Sequence, residues 1–186
     1  MEFVPILDLP AARQAQVRHL RNQPEVRRFM YTSHEISEPE HARWLDQLKS
    51  NPRQSVFVVV SEDHLIGVVS LSEINAAHRT ADWAFYLDAS VQGKGIGSQI
   101  EFWLLDYAFG PARLDKLNCE VLEVNSAVIK MHQRFGFVIE GVRRQNAIHE
   151  GKRVDVVLLG ITQEEWRQQR PNLVPVIQRL AGKGNQ

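Results

Sequence analysis

A run of eight residues, Val91-Gln92-Gly93-Lys94-Gly95-Ile96-Gly97-Ser98, constrains the fold more than any other stretch. It stands between an apolar strand candidate, Thr80 to Leu87, and a segment in which Ile100, Trp103, Leu104, Tyr107 and Ala108 recur at helical spacing. Glycines there let the backbone turn tightly and aim several N–H groups at one point, while the helix start adds partial positive charge. Such a turn suits a phosphate or pyrophosphate. It matches neither common template: counted from Gly93, the last position of Gly-x-Gly-x-x-Gly is Ser98, and no Gly-Lys-Ser/Thr closes a P-loop. A glycine-rich loop without a ligand is the alternative reading of the pattern alone.

Periodicity on either side predicts alternating helices and strands, with no internal repeat and no long linker. Phe3 to Leu7 reads as a strand, and Asp8 as the cap of a helix with Pro10 in its first turn, running towards Leu20. Ser37-Glu38-Pro39-Glu40 is a capping box opening a helix with Ala42, Leu45 and Leu48 on one face. A meander follows, Ser55 to Ser61, Leu65 to Ile74 and Thr80 to Leu87. After the glycine turn and its helix, stopped by Gly110-Pro111, come a strand at Leu117 to Leu122, a helix at Ser126 to Phe135 ended by Gly136, and strands near Phe137 to Arg143 and Val154 to Leu159. A last helix starts at Thr162-Gln163-Glu164-Glu165, and residues 182–186 read as a frayed tail, leaving one domain over 1–181.

Composition narrows the function. Twenty-two Lys plus Arg balance twenty-two Asp plus Glu, which argues against a general nucleic-acid or membrane-surface binder. The single cysteine, Cys119, forms neither an internal disulfide nor a cysteine-based zinc site. No His-x-x-x-His pair supports a metal. The start, Met1-Glu2-Phe3-Val4-Pro5, lacks a basic and apolar leader, and no apolar run approaches ~18 residues, so the expectation is a cytoplasmic chain.

Gln92-x-x-Gly95-x-Gly97 between strand and helix, Asn125 after the next strand, and Phe135-Gly136-Phe137, with Gly136 eleven residues beyond Asn125, together resemble the GNAT acetyltransferases. The resemblance runs through nearly the whole chain in order. It implies an α/β (α+β) fold with a mixed, mostly antiparallel sheet of about seven strands, splayed between the fourth and fifth with acetyl-CoA in the gap. It also implies that the amides of Gln92, Gly93, Lys94, Gly95, Ile96, Gly97 and Ser98 hold the pyrophosphate, that Leu87, Asp88 and Ala89 pair with the pantetheine, and that Asn125 steadies that arm. A backbone N–H near Leu87 is then placed to polarise the thioester carbonyl.

Acetyl transfer to an amine needs a neutral amine, a stabilised oxyanion and a proton for the leaving thiolate. Many of these enzymes take that proton from a tyrosine four residues before the glycine of the Gly-Phe pair, a position occupied here by His132. A histidine titrates near neutrality and is a candidate general acid; the alternative is a helix residue that only fills the slot. Glu120, on the strand beside the gap, is a candidate base or a solvent-face residue. Cys119, on the opposite face, reads as core.

The acceptor side of this fold comes largely from the first two helices and their loop. Residues 11–34 hold Arg13, Arg18, Arg21, Arg27 and Arg28 against Glu25, five cations to one anion. An arginine-rich lip with Phe29, Met30 and Tyr31 suits an anionic, partly flat ligand such as a nucleotide diphosphate. Arg13 and Arg18 read instead as coating for exposed helix faces. Arg21-Asn22-x-Pro24-x-Val26-Arg27-x-Phe29-Met30, then Glu40-His41 with Trp44-Leu45, and Glu140-Gly141-x-Arg143 with Asp155-Val156-Val157-Leu158, resemble the UDP-4-amino-4,6-dideoxy-sugar N-acetyltransferases of pseudaminic acid biosynthesis, which serves flagellin glycosylation. That resemblance implies a nucleotide-sugar pocket of Arg21, Asn22, Met30, Tyr31 and His41, with Tyr86 facing the sugar. Leu71-Ser72-Glu73-Ile74-Asn75 with His78-Arg79 also looks like the polyamine and ribosomal-protein N-terminal acetyltransferases, for which Glu35, Glu38, Glu40 and Glu73 would have to converge. A non-catalytic acetyl-CoA-binding module is a third possibility, and fold-level analogy points to a homodimer through the C-terminal strands and last helix.

Overall fold

The computed structural model describes residues 1–183. Seven strands form one sheet in the order β1 (Glu2–Pro5), β2 (Ser55–Ser61), β3 (His64–Asn75), β4 (Thr80–Leu87), β5 (Lys116–Leu122), β7 (Lys152–Thr162), β6 (Val138–His149). It is mixed and mostly antiparallel, with β4 and β5 parallel. The helices are α1 (Ala11–Arg21), α2 (Pro24–Arg27), α3 (Glu38–Lys49), α4 (Ile96–Phe109), α5 (Ser126–Phe135) and α6 (Gln163–Lys183).

The chain divides into two compact units, Met1–Ile74 with Trp83–Gln92, and Asn75–Asp82 with Gly93–Gln186. In the first, Ile6 of the 3-10 turn after β1 and Val56 and Val58 of β2 are buried against Val17 and Leu20 of α1 and Leu48 of α3, with Trp44, Leu45 and Tyr86 packed around them. In the second, Leu122, Ala147, Val154 and Val156 form a core cluster with Leu158 against it. The parallel ladder between β4 and β5 pairs Thr80, Ala81 and Asp82 with Lys116, Leu117 and Asn118, whereas β5 continues along β7 to Leu122–Val156.

Several local expectations shift. Asp8 does not cap α1: it closes a short 3-10 turn, and Pro10 occupies the cap position. Ser37 does cap α3, its hydroxyl accepting from the Glu40 N–H at 3.4 Å. The face α3 buries is nevertheless turned by one residue, to His41, Trp44, Leu45 and Leu48, and Ala42 is exposed. Strands β6 and β7 are longer than predicted because Arg143-Arg144-Gln145-Asn146 hides a strand interrupted by a bulge, and Glu150-Gly151 (φ +49° and +77°) supplies a tight hairpin turn. Helix α6 includes Gly182 and Lys183; the rest of the expected tail, 184–186, lies outside the described residues. Among the described residues no helix is long and apolar enough to cross a membrane.

Candidate active site

The glycine turn is built by the backbone. Gly93 and Gly95 have φ of +74° and +79°, the left-handed region that a β-carbon disfavours, and Gly95 is the N-cap of α4. A Cβ on Gly93 would meet nothing within 4 Å, so its requirement is conformational. One on Gly95 would approach Leu180 Cδ2 of α6 to 2.7 Å, a contact that a shift of the leucine side chain relieves, so there too the backbone conformation is the main requirement. The Gln99 N–H is the first in α4 to return, to the Gly95 carbonyl at 3.3 Å. The amides of Ile96, Gly97 and Ser98 therefore project from the helix start without intrahelical acceptors, the arrangement that receives a phosphate. Lys94 is exposed beside them. Asn125 is the N-cap of α5, with its N–H on the Leu122 carbonyl at 2.8 Å, and its carboxamide makes no capping bond.

The segment after β4 is tied into the first unit. The Asp88 N–H donates to the Ile66 carbonyl at 2.9 Å, and the Ala89 N–H to Gln23 Oε1 at 3.1 Å. Gln23 Nε2 also donates to Asp88 Oδ2 at 2.7 Å, and Ser90 bonds to the other carboxylate oxygen, which holds Asp88 below the usual carboxylate range. Gln92 turns back, its Nε2 on the Leu87 carbonyl at 3.3 Å. A cavity of about 370 Å³ lies in this unit, lined by Arg13, Gln16, His19, Gln23, Asp63, His64 and Asp88 among others; of these, only Asp88 was a predicted site residue.

Of the predicted acceptor residues, Arg21 and Tyr86 come together. Arg21 Nη2 donates to the Thr32 carbonyl at 2.6 Å, and its Nη1 is buried with no hydrogen-bond partner. Burial lowers the Arg21 pKa; it raises that of the Tyr86 hydroxyl, against the pull of the Arg21 charge. Asn22 is consumed in fastening the chain, donating to the Ile36 carbonyl at 2.9 Å and accepting from its N–H at 2.8 Å. Met30 is partly buried and Tyr31 is 56% exposed. His41, expected in the pocket, is buried instead (8% exposed): its Nε2 donates to the Gln14 carbonyl at 3.0 Å, and its ring lies 5.3 Å from Trp44.

The two candidate proton carriers differ. Glu120 pairs with Arg143 of β6 near the surface. His132 is 3% exposed, with Nδ1 2.8 Å from Oε1 of Glu101 on α4, a residue the sequence reading passed over. Glu101 is fully buried, which raises its pKa against the pull of His132. The signal that would have found it was a charged residue between Ile100 and Leu104 on the apolar face of a helix. Cys119 is buried, as expected of a core residue. Among the described residues no group of His, Cys, Asp and Glu is placed to hold a metal ion.

A left-handed glycine turn leads into the start of α4, and a profile of the acetyltransferase (GNAT) domain matches residues 6–138. The chain belongs to the GNAT acetyltransferases. Enzymes of this family take their acetyl group from acetyl-CoA. Acetyltransferase PseH of Campylobacter jejuni is 27% identical over 119 residues, 64% of this chain and 73% of that protein. Spermidine N(1)-acetyltransferase of Vibrio cholerae is 29% identical over 166 residues, 86% and 95%. A crystal structure of the Vibrio cholerae spermidine N-acetyltransferase with CoA and spermine superposes with a TM-score of 0.79 at 26% identity, covering 85% of this chain and 94% of that one.

Proposed function

We propose that this GNAT acetyltransferase moves an acetyl group, by direct transfer with both substrates bound, to the 4-amino group of a UDP-linked 4-amino-4,6-dideoxy sugar, as in pseudaminic acid synthesis. The observation that carries the anionic acceptor is the buried, unpartnered Nη1 of Arg21 beside Tyr86. A polyamine acceptor needs free carboxylates, and three of the four named for it are already paired, Glu38 with Arg18, Glu40 with His34 and Glu73 with Arg53. The similarity to PseH agrees with this choice.

In this reading the Gly93–Ser98 amides take the pyrophosphate and His132 supplies the proton that the leaving sulfur needs. Gly93 and Gly95 fit that role because a side chain at either would strain the left-handed backbone of the turn. Asn125 steadies the pantetheine arm, Gln92 and the 87–89 strand end support it, and Glu120 with its Arg143 partner is a second candidate for receiving the amine's proton. A small amine acceptor of the spermidine class is the rival, favoured by the longer span over which the Vibrio cholerae enzyme matches.

Free-thiol release from acetyl-CoA, followed with each acceptor, decides between them. Release with the amino-sugar nucleotide and none with spermidine supports the proposal, and the reverse overturns it. Arg21→Gln removes a charged hydrogen-bond donor and should raise KM for the sugar nucleotide by roughly ten-fold or more, with KM for acetyl-CoA held.

A further inference from the structure

Glu101 is a charged residue where helix α4 otherwise buries Ile100, Leu104, Leu105 and Ala108. A carboxylate in such surroundings is costly unless it is paired and hydrogen-bonded. Its Oε1 meets His132 Nδ1 at 2.8 Å, while its Oε2 is buried without a partner. The His132 ring also packs on Phe137, with centroids 5.3 Å apart, and the Phe137 N–H donates to the His132 carbonyl at 3.1 Å. Two apolar residues of similar volume would hold the helices together at least as well, so packing alone does not call for this pair.

We propose that Glu101 is the positioning residue of the acetyl transfer: its carboxylate fixes the His132 ring and keeps a proton on Nδ1, so that proton exchange with the reactants falls to Nε2. The proposal rests on reading His132 as the proton donor. Acetyl-CoA supplies the acetyl carbon, which gains a bond to the amine nitrogen as its bond to sulfur breaks; the amine gives up one proton and the sulfur takes one. His132 Nε2 delivers the proton to sulfur and is recharged with the one the amine releases. Glu101 balances the imidazolium charge before delivery. A carboxylate behind a histidine in this way sets its tautomer and its orientation.

Glu101→Gln keeps the shape and one acceptor oxygen but removes the charge; Glu101→Leu removes the acceptor as well. With Glu101→Gln, kcat should fall by about 10–100-fold while KM for acetyl-CoA stays within about two-fold, the size of effect seen when a histidine loses its supporting carboxylate. In a His132→Ala background the same change should cost nothing further. Independently of turnover, the imidazole Nδ1 proton should give a strongly downfield NMR resonance in the wild type that is lost in Glu101→Leu. Wild-type turnover in Glu101→Gln, an undiminished loss in the His132→Ala background, or survival of that resonance in Glu101→Leu each overturns the proposal. If His132→Ala turns over normally, the proton-donor reading falls and the proposal with it; an impaired His132→Ala beside a normal Glu101→Gln sinks the proposal alone. A wild type that acetylates neither acceptor removes the acceptor reading, and the resonance then decides the pair.

Discussion

His41 and His132 are the two histidines buried among the described residues, at 8% and 3% exposure, and the sequence placed both in the working site. Their partners separate them. His41 donates to a neutral backbone carbonyl of α1, and burial lowers its pKa, so the folded protein prefers it uncharged. His132 faces the side chain of Glu101, with Nδ1 2.8 Å from Oε1. Burial by itself therefore does not separate the two rings; the group each is buried against does, a backbone carbonyl for His41 and a carboxyl group for His132.

The strongest way to break this contrast is to remove one imidazole at a time. His132→Leu leaves the buried Glu101 carboxyl without its hydrogen-bond partner, and should cost about 3–5 kcal/mol of unfolding free energy in a urea titration. The double variant Glu101→Leu/His132→Leu should recover most of that, because the apolar pair has no charge to desolvate. His41→Phe removes a single hydrogen bond to a carbonyl and keeps the contact with Trp44, so a loss of about 1 kcal/mol is expected. Equal losses for His132→Leu and His41→Phe would erase the distinction.

Acid and base sharpen it with opposite signs. Because the His41 pKa is lowered, the unfolded chain binds that proton more readily; its contribution is intact above the ordinary value of 6.5 and is lost as the pH falls below it. Because the Glu101 pKa is raised, the folded chain holds that proton more tightly; its contribution is intact below the ordinary value of 4.5 and is lost as the pH rises through the raised value. Thermal midpoints measured between pH 5 and 8 should fall less on acidification in His41→Phe than in the wild type. In the double leucine variant they should fall less on raising the pH. Parallel shifts in both variants would mean that neither group carries the dependence.

Why the sequence revealed one region and obscured the other follows from what each is made of. The glycine turn is a backbone device: Gly93 and Gly95 are needed for their φ, and that need is visible in residue identity and spacing. The strand and helix order was visible for the same reason, because apolar periodicity reports which face is buried. The residues expected around the acceptor, and the Glu101–His132 pair, are side chains whose partners are distant along the chain. Nothing near Asn22 announces that both ends of its amide go to Ile36, and nothing near Glu101 announces a histidine 31 residues away. Strand β6 was cut short because charged residues on an exposed strand resemble a loop until the hairpin partner is known.

The smallest expected effect bears on the orientation of α3, and through it on His41. The sequence put Ala42 on the apolar face with Leu45 and Leu48, whereas the structure turns the helix so that His41 is buried and Ala42 faces solvent. Neighbouring residues on a helix point about 100° apart, so burying His41 turns Ala42 away from the centre of the buried face. Ala42→Lys should therefore stay within about ±0.5 kcal/mol of the wild type, as exposed substitutions do. A cost of several kcal/mol would return Ala42 to the core and swing His41 outward, towards the acceptor role first expected of it. The resemblance between the two histidines would then be real, and the contrast drawn from their partners would fall.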